Sequence, residues 1–264
     1  MDKLKRLVWW LLLAACISTA GCYYLQTADT PMATRFYERA SGYSPSTAVP
    51  SERAQDLLVL LPGMGDGIER FEKEGLIRQL AQADLPVDAV AVNAHFGYYR
   101  SRQLLERLSE DVLQPAKALG YERIHLAGVS LGGFGGLLYW RYGEQHPTLA
   151  TDISSLLLLT PYVGEPEYYQ HRLNGGPAQA VGEEKNLWPW LESLPAGAGA
   201  DWYLGMAESD KFYTANQTFA AFVPTEQVAI VEGGHNWDSW RALWPQLLQH
   251  LKREQFASPA EKPR

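Results

Sequence analysis

Ile124-His125-Leu126-Ala127-Gly128-Val129-Ser130-Leu131-Gly132-Gly133 passes from an apolar run, through a single serine between two glycines, into a small-residue helix start. A strand, a sharp turn and a helix therefore meet at Ser130. Such a Gly-x-Ser-x-Gly elbow puts the serine in a strained backbone conformation and exposes its hydroxyl at the end of the strand. A side chain at either glycine would collide with the neighbouring strand or helix, so glycine is required at both. The pattern is common by itself, and its surroundings must decide whether it places a nucleophile.

Outward from Ser130, apolar runs recur at Leu57 to Leu61, Val87 to Val92, Ser155 to Leu159, Trp202 to Gly205 and Val228 to Val231. Most are continuous, not alternating, as expected of strands covered on both faces. Amphipathic helical patterns lie between them: Ile68 to Gln82, Arg102 to Leu119 with a kink expected at Pro115, Leu131 to Tyr142, Thr214 to Phe222 and Trp237 to Lys252. Alternating strands and helices predict an α/β fold with a mostly parallel sheet, whose sites form outside the carboxyl ends of the strands. Residues 56–254 are read as the folded domain. Residues 22–55, with Pro31, Pro45 and Pro50, read as a tether and lead-in with one helix around Met32 to Arg39. Tyr162 to Gly199 breaks the alternation and is rich in Gly, Pro, Glu and aromatics. It reads either as a small cap shaping a pocket or as surface loops whose aromatics pack onto the domain.

A serine hydroxyl needs a base within hydrogen-bond reach, itself oriented by a carboxylate. Asp210 follows the run beginning at Trp202 through small and polar residues, with Glu208 as a second acid in the same loop. His235 follows Val231 through Glu232-Gly233-Gly234, a tight exit that can aim the imidazole back across the sheet. The order Ser130, Asp210, His235 resembles that of the α/β-hydrolase superfamily. Leu60-Leu61-Pro62-Gly63-Met64-Gly65-Asp66 is similar to its oxyanion loop, with Pro62 where a histidine commonly stands. Gly233-Gly234-His235-Asn236-Trp237 resembles the histidine motif of the esterase D and enterochelin-esterase-like families. The superfamily resemblance covers residues 56 to 252, with four motifs in order.

The resemblance implies a central, mostly parallel sheet of about six or more strands with helices on both faces and a small cap at 162–199. It implies a nucleophile at Ser130, a base at His235, an acid at Asp210, and oxyanion donors in the backbone amides of Met64 and Leu131. The expected activity is cleavage of an ester or related acyl bond through an acyl-enzyme, with no cofactor. Thioesterases and peptidases use the same constellation, and a non-catalytic binding or envelope-scaffold protein on a hydrolase fold is the reading from another class. Aromatics around the insertion point to an apolar acyl or aromatic group on a small-molecule substrate.

The glycines from Gly132 to Gly136 lack the Lys-Ser/Thr ending of a phosphate loop. His95, His125, His146, His171 and His250 show no metal-ligand spacing, so no metal site is expected. His95 reads either as a pocket residue beside Phe96, Tyr98 and Tyr99 or as a surface histidine at a strand end. The chain has 264 residues, 46% of them hydrophobic, and a formal net charge of -7 with no basic block beyond the N-terminus. That size suits one α/β domain, and that charge argues against a nucleic-acid surface.

Lys3, Lys5 and Arg6 precede an uncharged apolar stretch from Leu7 that ends in small residues before Cys22, as in a secretory signal over residues 1–21. Thr19-Ala20-Gly21-Cys22 resembles the bacterial lipobox. The resemblance implies lipidation of Cys22 and a membrane-anchored lipoprotein facing the periplasm of a bacterial envelope. Leu13-Ala14-Ala15-Cys16 offers a second match with a shorter core, and an uncleaved anchor helix is the third reading. Both cysteines lie in this segment, so the body carries no disulfide or thiolate chemistry. Residues 255–264 read as a tail.

Overall fold

The computed structural model describes residues 26–47, 53–175 and 186–256. The expected leader with Cys16 and Cys22, the middle of the 162–199 insertion and the last eight positions of the tail lie outside them.

The core is an eight-stranded sheet. Its strands are β1 (Thr34–Tyr37), β2 (Pro45–Ser46), β3 (Asp56–Leu61), β4 (Val87–Val92), β5 (Arg123–Val129), β6 (Ser155–Leu159), β7 (Trp202–Ala207) and β8 (Val228–Val231). The spatial order is β2-β1-β4-β3-β5-β6-β7-β8. Strands β3 to β8 are parallel, and β1 joins β4 antiparallel with Phe36 opposite Val90. The six apolar runs of the sequence are these six parallel strands. The continuous runs arise because both faces are covered: Leu57, Val59 and Leu61 enter one hydrophobic cluster and Leu58 and Leu60 the other.

The helix expected around Met32 to Arg39 is not formed. Thr34-Arg35-Phe36-Tyr37 is instead the strand β1, with Tyr37 packed in one core and Phe36 against the other. Its alternation is too short to outweigh a helical reading in the sequence, and only pairing with the free edge of β4 decides it. Pro45 sits in the outermost strand, where a missing N–H costs no ladder bond.

Helix Leu131–Gln145 covers one face of the sheet, burying Phe134, Leu137 and Leu138. Helix Trp237–Leu251 covers the other with Trp240, Leu243, Trp244, Leu247 and Leu248. The single helix expected over 68–82 is two, Arg70–Lys73 and Leu76–Ala83, separated by Gly75 at φ 82°. The kink expected at Pro115 takes the form of a π turn, Ser109–Leu113, between Leu104–Leu108 and Gln114–Ala118. Proline lacks the N–H that an uninterrupted α-helix would use there.

In the insertion, helix Pro166–Leu173 is followed after the undescribed stretch by helix Trp188–Ser193, with a bridge between Gly164 and Asn186. Leu187, Trp188 and Leu191 are fully buried, and Trp190 lies 5.9 Å from the Trp202 ring. The aromatics here thus pack onto the domain, while Tyr162 and Glu165 at its start line a cleft. Among the described residues, no helix is long and apolar enough to cross a membrane.

Candidate active site

Ser130 is held at φ 52°, ψ −109° between β5 and the helix that begins at Leu131. An L-residue rarely adopts such a backbone, and it persists because its surroundings over-determine it. The Ser130 amide donates to the Leu159 carbonyl at 2.9 Å, and the Ser130 carbonyl accepts from Tyr162 N and Phe134 N. The flanking glycines are needed for close approach. A Cβ on Gly128 would lie 2.3 Å from the Gly132 backbone, and one on Gly132 would lie 2.2 Å from the Leu61 carbonyl oxygen.

Asp210 lies beyond the end of β7, and its amide donates back to the Ala207 carbonyl at 3.0 Å. Its Oδ1 accepts the Phe212 amide at 2.7 Å, which fixes the carboxylate and leaves Oδ2 for a second donor. Glu208, the alternative acid, is exposed, whereas Asp210 is buried. His235 lies beyond β8 after Gly233 at φ 114°, whose carbonyl accepts from Ser209 N at 2.8 Å and ties the two loops together. Immediately after the imidazole, Asn236 caps helix Trp237–Leu251 by accepting from Ser239 N.

The three side chains meet. The Asp210 Oδ2 to His235 Nδ1 distance is 2.7 Å, and that from His235 Nε2 to Ser130 Oγ is 2.8 Å. A carboxylate only accepts, so Nδ1–H donates to Asp210, leaving the Nε2 lone pair to accept the Ser130 hydroxyl. This is the geometry in which an imidazole can take a hydroxyl proton as the oxygen attacks.

Several supporting residues carry no sequence signal. Thr160, at φ 40° after β6, accepts the Trp240 indole N–H at 2.9 Å and places its Oγ1 3.3 Å from His235 Nδ1. Phe212 and Trp240 meet the His235 ring in T-shaped contacts at 4.9 and 5.1 Å. No spacing in the chain links these residues; the sheet brings the ends of β6 and β7 and the start of the last helix together.

The Gly63–Asp66 turn is closed by the Asp66 amide donating to the Gly63 carbonyl, with Gly65 at φ 89°. Neither the Met64 amide nor the Leu131 amide donates to an acceptor among the described residues. Pro62 packs its carbonyl toward Gly132, and the loop is held by other means than a histidine. Burial raises the Asp66 carboxyl above the usual carboxylate range, partly offset by Arg70 and by a hydrogen bond from Trp237. Trp237 also stacks under Arg70 at 5.5 Å, joining the 62–66 loop to the segment bearing His235.

His95 is buried but does not line the cleft. Its Nδ1 accepts from Gly97 N at 3.1 Å, and its ring lies 4.6 Å from Tyr98; burial lowers its pKa. Neither reading of it from the sequence holds, since the imidazole caps helix Phe96–Arg100.

Ser130 opens onto a cleft of about 670 Å³ whose walls include Met64, Leu131, Phe134, Leu138, Tyr162 and Phe212. A mostly apolar cleft of this size with a few convergent polar groups is the form of a small-molecule site. Among the described residues, no group of three or more His, Cys, Asp or Glu could hold a metal ion.

The sheet order, the strained serine after β5 and the loops after β7 and β8 define an α/β-hydrolase fold, the fold of several solved esterases. The thermophilic esterase Est2 from Thermogutta terrifontis superposes with a TM-score of 0.55 at 14% identity, covering 86% of this chain and 89% of its own. S-formylglutathione hydrolase from Staphylococcus aureus gives 0.53 at 12% identity, covering 86% and 98%. A ferulic acid esterase gives 0.52 at 18% identity, covering 75% and 84%. In sequence, the chain is 23% identical over 161 residues to an acetyl esterase from Caldicellulosiruptor saccharolyticus, matching 55% of this chain. The match spans 59% of that relative's length. No protein-family model matches the chain.

Proposed function

We propose that this protein is a serine hydrolase that cleaves a carboxylic ester through an acyl-enzyme. The observation that carries the proposal is the hydrogen-bonded series from Ser130 through His235 to Asp210 at an apolar cleft. The resemblance to an acetyl esterase and the esterases among the structural neighbours support ester over other acyl bonds.

In the proposed reaction Ser130 Oγ attacks the ester carbonyl carbon as its proton passes to His235 Nε2. Asp210 holds the tautomer and balances the imidazolium. The carbonyl oxygen gains negative charge and is met by the Met64 and Leu131 amides, each worth about 3–4 kcal/mol in comparable sites. His235 returns the proton to the departing alkoxide as the C–O bond breaks, releasing the alcohol. Water, deprotonated by the same imidazole, then attacks the acyl-serine, releases the carboxylic acid and restores Ser130.

For the N-terminal segment, the lipobox-like Thr19-Ala20-Gly21-Cys22 supports lipidation of Cys22 and attachment to a bacterial envelope membrane on its periplasmic side. An acidic body gains little from anionic lipid, so attachment would rest on the acyl chains. The residues from Tyr162 onward, two of which line the cleft, support a cap role for 162–199.

The test is fluorophosphonate labelling of the full chain in detergent, compared with Ser130→Ala and His235→Ala. Strong labelling lost in both variants is expected. A folded wild type that does not react would move the reading to a binding protein on a hydrolase fold.

A further inference from the structure

Residues 26–32 are strapped to a wall of the cleft. Arg100, which lines the cleft, donates from Nη2 to the Gln26 carbonyl at 3.1 Å. The same carbonyl oxygen lies so close to Gly97 that a Cβ there would stand 2.3 Å from it. Further on, the Tyr98 hydroxyl accepts the Asp29 amide at 3.1 Å and donates to the Asp29 carbonyl at 3.0 Å. The Met32 amide then donates to Asp111 Oδ2 at 2.8 Å. The strap therefore runs along the segment 96–111, the segment that presents Phe96, Tyr99, Leu104 and Leu105 to the cleft.

This placement limits how far the cleft can stand from a membrane. Cys22 precedes Gln26 by four residues, and a chain spans at most about 3.6 Å per residue. A lipid on Cys22 is thus attached within about 14 Å of the Gln26 backbone, whatever path the chain takes. A globule of this length is roughly 45 Å across, so that tether is too short to turn the far end of the sheet toward the bilayer. The cleft itself suits an interface. Met64, on the loop that faces Ser130 across the cleft, is 47% exposed, an unusual position for a large apolar side chain. Phe96, Tyr99, Tyr162 and Phe212 line the same cleft and are each partly exposed. Aromatic rings with one apolar and one wet side settle where headgroups meet acyl chains.

We propose that the mouth of the cleft rests on the bilayer that holds the Cys22 lipid, and that the enzyme draws from this bilayer an ester whose acyl chain is long enough to partition into it. The strap over residues 26–32 sets the orientation, and the short tether sets the distance. An acyl chain that passes from lipid into an apolar cleft leaves one apolar phase for another, so its transfer exposes little of it to water. This inference rests on the esterase and lipoprotein readings and adds to them a docking surface and a substrate class.

The test uses the full chain, purified from a bacterial membrane and placed in phosphatidylcholine vesicles with brominated acyl chains. A fluorescent label is carried either by Met64→Cys at the cleft or by Glu122→Cys, an exposed position at the amino end of β5, the opposite end of that strand from Ser130. Bromine quenches the label that touches lipid, so quenching at Met64→Cys and little at Glu122→Cys is expected. Equal quenching at both positions, or stronger quenching at Glu122→Cys, would overturn the proposal. A second measurement lengthens the tether with a Gly/Ser spacer of about 20 residues between Cys22 and Gln26. Hydrolysis of a long-chain aryl ester dissolved in the vesicles should fall about tenfold, as effective concentration drops with tether length, while kcat/KM for a short aqueous ester stays unchanged. A vesicle rate that ignores the spacer would also overturn it. Intact mass of the mature chain reads acylation of Cys22, and fluorophosphonate labelling reads the serine. With lipid and a reactive serine both present, equal quenching removes only this inference. An unmodified Cys22 removes the lipoprotein reading and an unreactive serine the esterase reading, and this inference falls with either.

Discussion

Adding one methyl group at Gly132 tests how the elbow is built. An alanine Cβ there would stand 2.2 Å from the Leu61 carbonyl oxygen, 2.6 Å from its carbon and 2.8 Å from the Pro62 oxygen. All three are backbone atoms at the end of β3, so no flexible side chain can yield. Reaching ordinary contact near 3.4 Å requires helix Leu131–Gln145 and the Pro62–Met64 segment to part by about 1 Å. Both proposed oxyanion amides and Ser130 lie on the parts that must separate. Overpacking of this kind costs about 1–3 kcal/mol, and a displacement of about 1 Å at a reacting centre costs about 10²-fold in rate. Gly136, further along the same helix, is the internal control, because its added Cβ would meet only Leu156 Cδ2 at 3.6 Å. There, removing a helical glycine should stabilise by about 0.5–1 kcal/mol. Thermal unfolding and fluorophosphonate labelling rate read the two effects. Gly132→Ala should lower Tm by about 3–9 °C and slow labelling about 100-fold, and Gly136→Ala should raise Tm by about 2 °C with little change in labelling. A Gly132→Ala protein with wild-type Tm and labelling rate would refute the close-packing argument for the elbow.

Asp210→Asn should lower kcat for a simple aryl ester by about 10⁴-fold through the wrong histidine tautomer, while Glu208→Gln, at an exposed side chain, should change it by no more than about twofold. Steady-state kinetics on both variants discriminates the two acids of that loop. Thr160→Val keeps the branched shape but removes the acceptor for the buried Trp240 indole N–H, so chemical denaturation should show a loss of about 1–3 kcal/mol. Arg123→Met should cost about 2–3 kcal/mol at neutral pH, because it strips the guanidinium 2.7 Å from the fully buried Asp56 carboxylate. The cost falls below that of a fully buried pair because Arg123 is itself about one-third exposed. Burial alone would raise the Asp56 pKa, but the His125 imidazole 3.7 Å away and the hydrogen-bonded Arg123 guanidinium outweigh it and leave the folded-state value lowered. Stability from this pair is therefore present above the unfolded pKa and lost as pH falls through the folded one. The deficit of Arg123→Met relative to wild type should shrink on acidification, and urea melts at neutral and acid pH check it.

The parallel strands were legible because burial on both faces leaves a continuous apolar run, and the runs at Ser155–Leu159 and Val228–Val231 match β6 and β8 end to end. The elbow was legible for a related reason. Gly128 and Gly132 stand where backbone meets backbone, and no other residue fits, so the constraint is written in the residue types. The edge strand β1 was not legible, because a four-residue alternation becomes a strand only when β4 offers an unpaired edge.

The sequence by itself determined the alternation of strand and helix and the turn that holds Ser130, and it set Ser130, Asp210 and His235 each just after an apolar run, since these rest on local sterics or on burial periodicity. Tertiary structure alone set Asp210, and not Glu208, against His235, gathered Thr160, Phe212 and Trp240 around that ring, and aligned Leu131, Phe134, Leu138 and Arg141 along one cleft. These depend on how separate strand ends and helix faces converge in space, and no residue's identity records which distant surface it will meet.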